Sequence, residues 1–240
     1  MDLKECDLLG AKVAEHWYYV SKGRALCRFL AGVEVGEMLD VGAGSGAFAR
    51  VLIDAGVCRS AVCIDPGYDA DHDEVYRGGR LAFRRSVERV DQRLVLFMDV
   101  LEHVEDDIAL LKRYVDGMPP GGQVLISVPA FNFLFSGHDV FLGHFRRYTM
   151  ASLNAVVRAA GLRPVRRSYF FAVLFPLAAA IRLAGKLRLR SGRAEPTSDL
   201  RLYSQPVNAL LILCHDVERT LFFLFNRLFG LTVFCLARKC

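Results

Sequence analysis

The sequence lacks the cysteine spacing of a disulfide or zinc framework. Its seven cysteines, Cys6, Cys27, Cys58, Cys63, Cys214, Cys235 and Cys240, form no C-x-x-C pair and are odd in number. That usage fits a reducing cytosol. The stretch up to Trp17 has no apolar h-region, so no signal peptide is expected. No uncharged apolar run reaches the roughly 18–20 residues that a membrane-spanning helix needs. Arg182, Arg219, Arg227 and Arg238 interrupt or flank the apolar stretches. Internal repeats and low-complexity tracts are absent, which argues against a solenoid or a disordered chain.

What remains is apolar and unevenly charged. Of 240 residues 53% are hydrophobic, and mean hydropathy is +0.26. The length suits one large domain, or one domain with an appendage. Acidic residues are scarce late in the chain. From Arg163 onward there are 13 Lys/Arg and 4 Asp/Glu, whereas the first 162 residues hold 18 and 22. A basic, apolar tail behind an acidic body predicts contact with anionic material.

Residues 1–167 read as alternating strands and helices. Residues 22–33 suggest a helix, and 37–41 a short apolar strand that runs straight into Gly42-Ala-Gly-Ser-Gly46. A helical pattern follows, with Phe48, Val51, Leu52 and Ala55 on one face. Residues 61–65, 94–98 and 123–128 suggest further strands, and 106–115 a helix. Thr149 is placed to N-cap a helix that ends near Gly161. This alternation predicts an α/β fold with a doubly wound, mostly parallel sheet, in which ligands sit at the carboxyl ends of the strands.

The turn Gly42-x-Gly44-x-Gly46 lets backbone approach a ligand closely. Asp65, 23 residues after Gly42, ends the next strand and is spaced to accept ribose hydroxyls. The same spacing, with Ala47 as last member, also fits a nicotinamide-binding turn.

Four segments narrow the choice. Met38-Leu-Asp-Val-Gly-Ala-Gly-Ser-Gly46 resembles motif I of the class I S-adenosylmethionine-dependent methyltransferases. Ala61-Val-Cys-Ile-Asp65 resembles motif II. Phe97-Met-Asp-Val-Leu-Glu-His-Val104 is similar to motif IV of the subgroup containing ubiquinone-pathway O-methyltransferases. Pro119-Pro-Gly-Gly-Gln-Val-Leu-Ile-Ser-Val-Pro129 resembles motif V and its surroundings. The resemblance implies S-adenosylmethionine over Gly42, Gly44 and Gly46, with Asp40 near its amino group and Asp65 on its ribose. It places Met98 or Asp99 beside the methionine end, and Lys22 or Arg24 against the methionine carboxylate. The chain departs from the family where an acid commonly meets the adenine amino group. Ser86 and Val87 are the expected adenine neighbours instead.

Methyl transfer needs an aligned acceptor and, for a hydroxyl, a base. Glu102, His103, His138 and His144 follow strands at the rim where chemistry is expected. His103 or His144 suits a general base. Alternatively Asp99, Glu102, His103 and His144 resemble the divalent-metal ligands of small-RNA 2′-O-methyltransferases. Glu102 and His103 also suit capping of the following helix. Arg146, Arg147 and Tyr148 fall where an acceptor phosphate or carboxylate could be clamped. Arg146 and Arg147 equally suit pairing with Asp139 or with the acidic run at 105–107.

Residues 168–240 read as a basic, apolar helical extension. Residues 162–171 suggest one closing strand, with no evident partner strand. A basic run at 186–193 and a loop at 194–199 precede two expected apolar helices, 206–214 and 217–237. Arginines at headgroup level beside apolar faces predict peripheral contact with the inner face of a membrane rather than a span. A lid or a dimer interface are the alternatives. Nucleic acid is not expected, because the aromatics cluster on apolar faces and not among the arginines. The combined expectation is O-methylation of a small or lipid-linked acceptor, such as a quinone precursor, a polyprenyl-linked sugar or a glycan. An NAD(P)-dependent oxidoreductase and a non-catalytic membrane adaptor are the competing readings.

Overall fold

The computed structural model describes residues 10–190, 197–198 and 201–240. Cys6, Arg193 and most of the loop expected at 194–199 lie outside them.

An eight-stranded sheet runs through the molecule in the order β3-β4-β2-β1-β5-β6-β8-β7. Its strands are β1 (Glu37–Val41), β2 (Ser60–Ile64), β3 (His72–Tyr76), β4 (Gly79–Arg84), β5 (Leu94–Met98), β6 (Gln123–Pro129), β7 (Leu162–Phe170) and β8 (Thr232–Lys239). Strands β4, β2, β1, β5 and β6 are parallel. The β3–β4 hairpin was not legible in the sequence pattern and forms an antiparallel edge. Strand β8 runs antiparallel between β6 and β7.

Helices cover both faces. Met38, Cys63, Leu96 and Phe234 point to the side of α1 (Trp17–Phe29) and α2 (Ala47–Asp54), where Leu26, Phe29, Phe48 and Leu52 meet them. Leu39, Val95, Phe97 and Ile126 point to α3 (Asp107–Val115) and α5 (Met150–Ala159). Alternate residues of each buried strand thus feed two cores, which is why these strands read as continuous apolar runs. The expected cap is in place: Thr149 Oγ1 accepts from Ser152 N at 3.1 Å at the start of α5.

One expectation fails. Residues 217–237 are not a single apolar helix. The chain leaves α7 (Gln205–Leu221), makes a short turn at Phe223–Phe225 and enters β8, buried from Thr232 to Ala237. Gly230 marks the change: a Cβ there would lie 2.4 Å from the carbonyl oxygen of Phe170. The sheet is therefore completed by the far end of the expected extension and not within residues 1–167. Residues 171–231 are an insert between paired strands, carrying α6 (Phe175–Arg190) and α7.

Candidate active site

The parallel strands end along one rim. The register Val41↔Phe97 sets Gly42 beside Met98, and Pro129↔Thr232 brings the start of β8 to the end of β6. Gly42, Gly44 and Gly46 all take positive φ, at 67°, 53° and 71°. At Gly42 a Cβ would lie 2.7 Å from Val100 Cγ2, so the loop needs glycine for space as well as conformation.

Asp65 braces this loop: its carboxylate accepts from Gly44 N at 3.1 Å and Gly67 N at 3.0 Å. Tyr68, unmarked by any sequence signal, donates to Gly44 O at 2.6 Å. Asp40 is buried with neither carboxylate oxygen hydrogen-bonded among the described residues. Burial, with Asp65 nearby, pushes its carboxyl up to about 7.

Asp99 takes φ 55° and accepts hydrogen bonds from Tyr18 Oη at 3.3 Å and from the fully buried Lys22. Burial opposes its ionisation, but the Lys22 ammonium outweighs that and lowers its pKa. Met98 is buried beside it. Arg24 points elsewhere, pairing with Asp216 of α7. Ser86 is exposed and lines a separate surface cleft with Pro66, Asp69 and Asp71, beyond Asp65. Val87 packs on the α3 side of the sheet.

A cavity of about 530 Å³ opens beyond Asp99. Its polar end is Asp99, Glu102, His103, His138, His144 and Arg147. Its apolar wall comes from Trp17 and Phe171 together with Leu177, Ile181, Val207 and Leu211 of the insert. The individual wall residues carry no sequence signal of their own, although a lid was one of the alternatives for this part of the chain.

The histidines converge, with the His103 and His144 rings 4.5 Å apart and those of His138 and His144 6.4 Å apart. His144 Nδ1 lies 2.8 Å from Asp139 Oδ1. Asp139 is wholly buried in α4 (Gly137–Leu142) and also accepts from Arg147 Nε at 2.7 Å and Ser136 N at 2.8 Å. Burial raises its pKa, but His144 and Arg147 more than reverse that, so it stays ionised well below the usual carboxylate range. The spacing Asp139-x4-His144 is the signal that would have revealed this pair.

Glu102 is fully buried with neither oxygen hydrogen-bonded among the described residues. Burial, then the charge of Asp99, raises its pKa well above that of an ordinary glutamate. It does not cap α3, where Asp106 accepts from Ala109 N at 2.8 Å. Ligand atoms of Glu102, His103 and His144 lie within 4.8 Å of one another. Asp99, committed to Lys22, is not part of that group.

Of the three expected clamp residues only Arg147 lines the cavity. It is bound to Asp139. Arg146 turns to Asp107 at 3.3 Å and Glu105 O at 2.6 Å. Tyr148 is buried and donates to Asp107 Oδ2 at 2.6 Å.

A family model described as a methyltransferase domain matches residues 15–167. A protein of Mycolicibacterium gilvum named as an uncharacterized methyltransferase is 30% identical over 165 residues, covering 58% of this chain. The chain spans 64% of that relative's length. Among solved structures, the candidate methyltransferase in complex with the Trm112 activator of Haloferax volcanii superposes with a TM-score of 0.57 at 16% identity. That match covers 100% of this chain and 98% of that one. Phosphoethanolamine N-methyltransferase 2 of Haemonchus contortus, in complex with S-adenosyl-L-methionine, gives 0.52 at 15% identity, covering 91% of this chain and 52% of that one. At these identities the two structures share the fold alone.

Proposed function

The chain belongs to the class I S-adenosylmethionine-dependent methyltransferase family, and from that premise we propose that it methylates a hydroxyl oxygen on an apolar, lipid-like acceptor. The observation that carries this reading is the His144–Asp139 pair at the polar end of a cavity whose wall is largely apolar. Bound above Gly42–Gly46, S-adenosylmethionine supplies a methyl group on a positively charged sulfur. The residues of this chain do the rest. Ionised Asp139 holds the Nδ1 proton of His144, which leaves Nε2 as the base. The acceptor hydroxyl loses its proton to Nε2 as the new O–C bond forms. The methyl would come from the cofactor's sulfonium, with the C–S electron pair staying on sulfur, so that the transfer balances against the proton passed to His144. Glu102, whose burial and nearness to Asp99 favour the protonated form, would offer a hydrogen bond to the acceptor. His103 and His138 complete the polar end. Lys22 is the cation for the methionine carboxylate, and Asp40 the acceptor for its amino group.

His144→Ala tests the reading. Calorimetric titration should show S-adenosylhomocysteine bound as in the wild type, while transfer of labelled methyl to aliphatic and aromatic hydroxyl acceptors falls by about 10²–10⁴-fold. Unchanged transfer would remove His144 from the chemistry. Binding of NADPH in place of S-adenosylhomocysteine would return the oxidoreductase reading.

A second reading rests on the orphaned Glu102 carboxylate and its approach to His103 and His144. These three residues suit a divalent cation, and His144 would be oriented by Asp139, as metal-ligating histidines commonly are by a carboxylate. Bound there, the cation would lower the pKa of the acceptor hydroxyl. Glu102→Gln separates the two. A protonated glutamate is mimicked by glutamine and activity persists, whereas a metal-binding carboxylate is not, and both activity and zinc or magnesium binding are lost.

A further inference from the structure

Helix α7 is inside out. Its buried residues are His215 and Glu218. Of its large apolar residues, Val207, Leu210, Leu213, Val217 and Leu221 are 42–60% exposed, while Leu211 and Ile212 are half-buried. Steps of three and four residues put these five on one face of a helix. The stripe continues past the helix end through Phe222, Phe225 and Leu228, the last two 81% and 78% exposed. Helix α6 adds Leu177, Ile181 and Leu183, also exposed, and none of its residues from 175 to 186 is fully buried. So many exposed large apolar side chains in one insert mark an interaction site.

Two observations identify the occupant. The first is charge. Lys186 on α6, with Arg201 and Arg227, belongs to the same insert as the apolar face. Among the described residues of the insert the acids are Asp216, paired with Arg24 and Arg219, and Glu218, buried. The surface is therefore apolar and cationic. The second is continuity with the cavity. Leu177, Ile181 and Val207 belong both to the exposed face and to the cavity wall, where Arg182 and Arg201 also stand. An acceptor leaving a bilayer would pass from the exposed face to His144 without crossing water.

We propose that the insert docks on an anionic lipid bilayer, with α6 and α7 lying in the interface, and that the mouth between them admits the acceptor from the membrane. Among the described residues no helix is long and apolar enough to cross a membrane, so the contact is a lateral one. The route of entry rests on the proposed hydroxyl chemistry; the docking does not.

Flotation of the full chain with vesicles provides the test. The wild type should float with phosphatidylcholine containing one quarter phosphatidylglycerol, and far less with phosphatidylcholine alone. The double variant Leu210→Asp, Leu213→Asp, neither residue lining the cavity, should lose about tenfold or more of that partitioning. It should keep wild-type affinity for S-adenosylhomocysteine and wild-type transfer to a short-chain soluble hydroxyl acceptor. No flotation of the wild type, flotation indifferent to the double variant, or a wild-type dimer that the variant turns into monomer would overturn the docking. Unchanged methyl transfer by His144→Ala with flotation intact would instead defeat the proposed reaction and leave the docking in place.

Discussion

Only residues 222–231 separate helix α7 from strand β8, and both are rich in apolar side chains. They use them in opposite ways. From Thr232 to Ala237 every residue of β8 is buried, with Phe234 against Phe29 and Phe223 on one face and Val233 and Cys235 in the other core. Helix α7 buries a histidine and a glutamate and turns Leu210, Leu213 and Leu221 out. The difference lies in what each element must satisfy. A strand between two others is covered on both faces, so apolar side chains are stabilising at every position. Helix α7 is held to the domain by polar contacts. Trp17 N donates to Asn208 Oδ1 at 2.8 Å, and Asn208 Nδ2 donates to Glu15 O at 2.9 Å. Glu218 accepts from Ala172 N at 2.8 Å, Val173 N at 3.3 Å and the His215 ring at 3.2 Å. Its apolar residues are thereby left over for another partner.

The contrast breaks first in the sheet. Phe234→Ala removes a wholly buried ring that packs on Phe29, Phe170 and Phe223. It should cost about 3–5 kcal/mol in urea unfolding. A loss below about 1 kcal/mol would mean that β8 is not packed as a central strand.

Glu218→Ala should cost somewhat less, about 2–4 kcal/mol, because it leaves two backbone N–H groups and His215 without their acceptor. It should also loosen the 171–173 turn. That turn carries Phe171, which stacks on Tyr18 at 5.3 Å in the cavity wall. Methyl transfer should therefore fall even at temperatures where the variant remains folded. Thermal unfolding and turnover on one preparation check both.

The parts of the fold legible in the sequence are those where local signals and packing agree. The glycine turn, Asp65, the Thr149 cap and the buried parallel strands all carry signatures that no tertiary contact overrides. Strand β8 was not legible, because a strand buried on both faces and a buried helix are equally continuous in apolar residues. Gly230 and the Thr-Val-Phe that follows Leu231 were the available hints. Of the site, the rim histidines and Glu102 stood out by their place after strands. The bond from Asp139 to His144 depends on the tertiary placement of α4 and the loop after it. Arg24, Arg146 and Tyr148 were misleading for the same reason: their type suited a ligand, and the fold gave them Asp216 and Asp107 instead.

Asp40 sharpens the comparison at the cofactor end. Its folded-state pKa of about 7 lies above the usual unfolded value near 3.9. The folded state therefore binds the extra proton. Its stability is fully present below about pH 4 and is lost as pH rises through about 7. Asp40→Asn removes this titration. From pH 4 to pH 8 the stability of the cofactor-free variant relative to wild type should rise by about 1–3 kcal/mol. Relative to wild type, its affinity for S-adenosylhomocysteine should fall over the same range. Parallel pH dependence of the two proteins would show that Asp40 already has a partner.

The smallest effect belongs to the α7 stripe. Leu213 is 60% exposed, so Leu213→Ala removes side-chain atoms that are already largely in water. Alanine also has the better helix propensity, which offsets the little contact that is lost. Unfolding in urea should shift by no more than about 0.5 kcal/mol in either direction. That is several-fold below the expected loss at Phe234, although both residues are large and apolar. A cost of 2 kcal/mol or more would place Leu213 in a packed interface within the chain or between two copies, and the stripe would no longer be free to meet a lipid surface.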